Sequence, residues 1–160
     1  MNLLNGMDIR TLLQSLLDHN VRFLVIGAWA LPAYGIERMT KDIDIFIEPT
    51  EENAVKTIKA LQKIGYGAVE DDHVKLFLTQ KVLLREYILQ TDIHPFVKGA
   101  DFYTAWETKK ETDIKGIKVF VPSIDVLIGM KKAANRLKDA EDIINLEKIK
   151  SITAEKNKAK

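Results

Sequence analysis

The segment Asp42–Ile47 reads DIDIFI, two carboxylates set inside an otherwise apolar run. An ionised carboxylate withdrawn from water is costly unless it is paired or bound to a metal. Alternate residues of a strand point to one side, so Asp42 and Asp44 share a face while Ile43, Ile45 and Ile47 bury the other. The strand rise sets the two Cβ atoms roughly 6–7 Å apart. Like charges that close repel unless a cation lies between them. Hard oxygen ligands on a rigid strand suit Mg²⁺ or Mn²⁺, which are held by one or two carboxylates plus substrate phosphates. A third acid at the end of a neighbouring strand would complete a two-metal site for phosphoryl-type transfer. Asp92, in YILQTDIHPF, is expected to supply it, with His94 on the same face to orient it or touch substrate.

A triphosphate needs a cradle as well as a metal. Upstream, Gly27 closes the apolar run RFLVIG and opens AWALPAYG, which reads as a short helix. A helix start offers free N–H groups and a positive dipole end, and glycine lets the backbone approach a ligand closely. Arg38, Thr40 and Lys41 lie in the polar loop entering the acid strand, where Arg and Lys can neutralise phosphate charge. Trp29 is expected to pack on the sheet. Lys131 and Arg136 fall five residues apart, an offset of about 140° on a continuous helix. They converge only if the helix breaks between them, and Asn135 is the expected break. On its own the segment is an unremarkable charged helix pair, with Arg136 read as a structural partner of Asp139 or Asp142.

The elements that would position these residues follow from periodicity. DIRTLLQSLLDHN predicts a helix over about 8–19 capped by Asp8. RFLVIG and DIDIFIEP predict strands, the second closed by Pro49. Pro32 is expected near the first turn of its helix, where proline is tolerated. Thr50 caps a helix to Ile64, with Glu51 and Glu52 in its first turn. Residues 66–97 read as irregular strand, with REYILQTDIHPF the firmest part. TDIKGIKVFVP predicts a hairpin turning at Lys115–Gly116. Ser123 caps IDVLIGMKKAAN, and a last helix covers about 138–149. The order α-β-α-β-α-β…α-α implies a small mixed β-sheet with helices packed on it.

Composition bounds the rest. The chain has 160 residues, 46% hydrophobic and 29% charged, ordinary values for one globular domain. It has no cysteine, which excludes disulfides and thiolate–zinc chemistry. No membrane span or signal peptide is expected, so the cytoplasm is the default compartment. The formal charge is +1, and removing the last ten residues, with three Lys and one Glu, makes it −1. A body that close to neutral argues against a general nucleic-acid binder. Residues 1–150 read as the domain and 151–160 as a basic, frayed tail.

The pattern hydrophobic–Gly–small, a gap, then Asp-x-Asp between hydrophobics resembles the polymerase-beta-like nucleotidyltransferase superfamily. GIERMTKDIDIFI is similar to the Arg-x-Thr-x-Asp-x-Asp form of AbiEii-like nucleotidyltransferases, and MKKAANRLKDAEDI to the Lys…Arg-x-Lys-Asp…Asp segment that follows in them. TDIHPFVKGADFYTAW resembles their third-acid strand and next helix. One departure is Ala28, where Gly or Ser is usual; Ala keeps the amide but offers no hydroxyl.

The resemblance implies a nucleotidyltransferase fold and transfer of a nucleoside monophosphate from an NTP to an acceptor hydroxyl, with release of pyrophosphate. Asp42 and Asp44 would hold both metals, and Asp92 would hold the catalytic one and activate the hydroxyl. Gly27, Ala28, Arg38, Thr40, Lys41 and Lys131 would bind the nucleotide. The acceptor stays open between RNA, protein and a small molecule. Two other classes remain: a weakly active nucleotide- or partner-binding module of a toxin–antitoxin type pair, and a Mg²⁺-dependent phosphohydrolase.

Overall fold

Four short strands build one sheet: β1 (Phe23–Ile26), β2 (Asp42–Ile47), β3 (Val82–Leu84) and β4 (Gln90–His94), in the spatial order β1-β2-β4-β3. The computed structural model describes residues 7–159. β2 and β4 run parallel, whereas β1 pairs with β2 and β3 with β4 in antiparallel fashion. This is the small mixed sheet that the element order implies.

The alternation of β2 decides what each face does. Ile43, Ile45 and Ile47 join Phe23 and Val25 of β1 and Ile93 of β4 in the main core. That core also takes Leu12, Leu13 and Leu16 of α1 (Ile9–Asp18) and Ile58 and Leu61 of α2 (Glu51–Lys63). On the opposite face Leu24, Ile26 and Phe46 pack with Phe102 and Ala105 from the helix Phe102–Glu107. Phe46 meets Phe102 edge to face with centroids 5.2 Å apart. The remainder of that second face, toward the start of β2, is polar and carries the acids.

Caps fix several element ends where expected. Asp8 accepts from the Thr11 N–H at 2.9 Å, and that bond holds its carboxyl below the usual range. Thr50 caps α2 through the Asn53 N–H. Lys110–Ile114 and Ile117–Val121 form the hairpin. Ser123 caps the helix Ile124–Ala134, which ends at Asn135 in the left-handed conformation, the break that the sequence predicts.

Four expectations are corrected. Residues 66–97 hold a helix, α3 (Val74–Thr79), inside the stretch read as strand. Its β-prone residues misled: Phe77 is buried in the core, and the turn at Asp71–His73 with its reciprocal Glu70–His73 cap starts the helix. The strand read over 85–96 contracts to Gln90–His94. Pro32 lies in the later part of a 3₁₀ helix, Gly27–Tyr34, rather than in a first turn. Finally, after a 3₁₀ turn at Leu137–Asp139, the last helix runs Ala140–Lys158, well past 149. The added segment, KSITAEKNK, has no Gly or Pro to stop a helix and carries three Lys, a good helix former.

Candidate active site

Register brings the second and third expected acids together. Asp44 of β2 lies opposite Asp92 of β4 in the parallel ladder, so both project from the same face. Asp44, Asp92 and His94 each offer a ligand atom within 4.8 Å of the others. Asp42, at the exposed first position of β2, does not join that group. The equal roles expected for Asp42 and Asp44 are therefore not reflected in the geometry. His94 Nε2 donates to Asp44 Oδ1 at 2.8 Å, so it orients Asp44 rather than Asp92.

Gly27 ends β1 directly beside these acids. Its φ is +69°, and a Cβ placed there would stand 2.5 Å from Asp44 Oδ2. No side chain caps the 3₁₀ helix that starts at Gly27, and Ala28 follows as its second residue. Trp29 packs against the main core as expected; its Nε1 is buried without a partner among the described residues. Two carboxylates and an imidazole nitrogen at mutual ligand distance, with the space of a missing Cβ against one of them, fit a divalent cation.

Arg85 and Lys81 were not singled out by sequence. Arg85 Nη1 donates to Asp92 Oδ1 at 2.7 Å, and Lys81 Nζ lies 3.5 Å from Asp92 Oδ2. Leu83 pairs with Asp92 across β3 and β4, so the residues two before and two after it are diagonal neighbours of the acid. Only the β3–β4 register, which has no local signature, brings them to the acid.

A second charged cluster stands beside the first. Arg38 pairs with Asp142, Lys131 Nζ donates to Asp139 and Asp142 at 3.3 Å each, and Arg136 Nε donates to Asp139 at 2.6 Å. Asp139 and Asp142 are buried. Burial opposes ionisation of Asp139, but the Arg136 bond and the Lys131 charge outweigh it and hold its carboxyl below the usual range. Arg136 thus makes the structural pairing expected of it. Lys131 and Arg38, read as free phosphate contacts, are tied into the same cluster. Thr40 Oγ1 accepts from the Asp42 N–H at 3.0 Å, a local cap, and Lys41 is exposed.

A cavity of about 420 Å³ joins the two clusters, within the range of small-ligand sites. Its polar lining comes from Gly27, Asp44, Lys81, His94, Lys98, Lys131 and Arg136, and its apolar side from Phe96, Val97, Leu127, Met130 and Ala134. Asp92 does not line it; Lys81, paired to Asp92, does. The cavity thus sets Asp44 and His94 beside Lys81, Lys98, Lys131 and Arg136, a charge pattern that suits an anionic ligand bound through a metal. Among the described residues no helix is long and apolar enough to cross a membrane.

The structure resembles that of the lincosamide antibiotic adenylyltransferase LnuA in its lincomycin-bound form, with a TM-score of 0.60 and 21% identity over 91% of this chain and 99% of that one. It also resembles the solution structure of the antibiotic-resistance factor ANT(2'')-Ia, with a TM-score of 0.52 and 16% identity over 94% and 91%. At these identities the likeness is one of fold. No curated protein matches the chain by sequence. Residues 5–159 match the family described as "nucleotidyl transferase of unknown function (DUF2204)".

Proposed function

Because the chain belongs to this DUF2204 family of nucleotidyl transferases, we propose that it moves a nucleoside monophosphate from an NTP to an acceptor hydroxyl at the Asp44–Asp92 face. The observation that carries this reading is the register of Asp44 against Asp92, with Gly27 backing Asp44. In the reaction the acceptor oxygen bonds to the α-phosphorus, the bond from that phosphorus to the β-bridging oxygen breaks, and pyrophosphate leaves. Asp44 and Asp92 would hold Mg²⁺ or Mn²⁺, with Asp42 near enough along the strand to join once a ligand is bound. Such an ion would neutralise the phosphates and stabilise the attacking and leaving oxygens.

The remaining chemistry belongs to the chain. Asp92 accepts the hydroxyl proton of the acceptor, and His94 keeps Asp44 in its rotamer. The backbone of Gly27 and Ala28 would face the phosphates, with Lys131 lining the same cavity. Lys41, and Arg38 and Thr40 once they leave their present contacts, would reach them from the loop entering β2. Residues 1–150 would form the nucleotidyltransferase domain, acting in the cytoplasm where NTP is available. The narrower likeness to AbiEii-like proteins is supported by the Arg38–Asp44 and Lys131–Asp142 segments. A binding module of a toxin–antitoxin type pair is favoured by one observation, the engagement of Arg38 and Lys131 by Asp142.

Incubation with each α-labelled NTP, Mg²⁺ or Mn²⁺ and cell extract separates these readings. Label on an RNA, a protein or a small molecule supports the transferase and identifies its acceptor. Free monophosphate would indicate a hydrolase, and tight nucleotide binding without either product would indicate the module.

A further inference from the structure

Both oxygens of Asp92 are covered by cations. The residue is 8% exposed, its Oδ1 accepts from Arg85 at 2.7 Å and its Oδ2 faces Lys81 at 3.5 Å. The two cations come from one short piece of chain, immediately before and after β3, which pairs only with β4 among the described strands. Their side chains are 51% and 42% exposed, so each can swing into water without disturbing the core.

The charges of Asp44, Asp92, Lys81 and Arg85 sum to zero. A bare divalent cation arriving at Asp92 must displace an Arg–carboxylate hydrogen bond and expel a like charge from the same spot. A metal–triphosphate complex meets a different balance. It remains anionic, so the guanidinium and ammonium released from Asp92 find phosphate oxygens as new partners beside the cavity that Lys81 already lines.

We propose that Arg85, assisted by Lys81, is a positioning residue that occupies Asp92 until a metal arrives together with the nucleotide, then transfers to a phosphate. Metal and nucleotide therefore load as a coupled pair, and free metal binds weakly. The inference rests on the proposed role of Asp44 and Asp92 as metal ligands, and goes beyond it by assigning Arg85 the order of loading.

The test is Mn²⁺ binding to the full chain, read by the electron paramagnetic resonance signal of free Mn²⁺, with and without an α,β-methylene NTP analogue. Without nucleotide, Arg85→Gln is expected to bind Mn²⁺ about tenfold more tightly than the wild type, the size of a partly exposed charge-assisted hydrogen bond. Arg85→Lys, which keeps the charge, returns affinity toward the wild-type value. After subtraction of the Mn²⁺ that the analogue chelates in a protein-free control, the analogue strengthens Mn²⁺ binding more in the wild type than in Arg85→Gln, because the variant keeps the direct metal–phosphate coupling but lacks the part that Arg85 carries. If Arg85→Gln binds Mn²⁺ no better than the wild type while Asp44→Asn and Asp92→Asn lose the ion, the metal site stands and the proposed role of Arg85 is overturned. If those two acid variants bind Mn²⁺ as the wild type does, the metal-ligand reading itself fails and takes this inference with it.

Discussion

Gly27→Ala separates backbone strain from damage to the acids. A Cβ in the left-handed region costs about 1–2 kcal/mol. For a chain of this length that corresponds to a fall of about 2–8 °C in melting temperature. The new Cβ would also stand 2.5 Å from Asp44 Oδ2, where ordinary contact begins at 3.4 Å. The carboxylate must therefore retreat by roughly 1 Å, a displacement that costs on the order of 100-fold in rate when a reacting group is misplaced. Gly35→Ala is the matched control. Gly35 closes the same 3₁₀ helix at φ +84°, yet a Cβ there meets nothing within 4 Å. Thermal melts and label-transfer rates should show similar stability losses in both variants, with transfer lost only in Gly27→Ala. The reasoning is refuted if Gly27→Ala transfers at the wild-type rate, or if Gly35→Ala loses as much transfer as it does.

Lys131→Ala leaves the buried Asp139 and Asp142 short of a cation and should cost about 3 kcal/mol or more. Arg136, whose side chain is 53% exposed, should cost only about 1 kcal/mol on replacement by Ala; equal melting shifts for the two would contradict the cluster described above. Asp139 ionises more readily in the folded chain than an unperturbed aspartate does, so the folded state binds fewer protons in the usual carboxylate range. Its stabilisation is present above the unfolded value and is lost as pH falls through the lower folded one. The melting temperature should therefore drop more steeply between about pH 5 and pH 3 in the wild type than in Asp139→Asn; parallel slopes would count against it. Burial pushes the Tyr66 hydroxyl up to about 12 even though it shares a hydrogen bond with Thr91 Oγ1 at 2.9 Å. Thr91→Val should cost about 1–3 kcal/mol by orphaning that hydroxyl, and adding Tyr66→Phe should recover part of the loss; no recovery in denaturant titrations would refute this.

Local chemistry was legible in the sequence where local rules apply. The alternation of Asp and Ile in β2 gave the two faces, and Asp8, Thr50, Ser123 and Asn135 marked helix ends because each acts within four residues of itself. What remained hidden depends on partners far along the chain. The closeness of Asp44 to Asp92 rests on a parallel register with no local signature. Arg85 and Lys81 reach Asp92 only because Leu83 pairs with it, and that strand was masked by a β-prone segment that folds as helix α3. Asp139 and Asp142 are legible in the sequence only as partners for Arg136; that Lys131 and Arg38, the latter from a loop about a hundred residues away, also engage them has no local signature. The likeness between Asp42 and Asp44 was one of position along the strand, while their burial differs because Asp42 begins it.

Label transfer by the wild type, Asp44→Asn and Asp92→Asn in one assay bears on the proposed chemistry without intermediaries. Each variant removes a charge and keeps the volume, so folding should survive, as circular dichroism would verify. With α-labelled NTP, Mn²⁺ and the identified acceptor, the wild type should label the acceptor and release pyrophosphate. Asp92→Asn should still bind the nucleotide but transfer nothing, and Asp44→Asn should lose both metal binding and transfer. Folded Asp44→Asn and Asp92→Asn proteins that label the acceptor at the wild-type rate would contradict the assignment of the reaction to this face of the sheet.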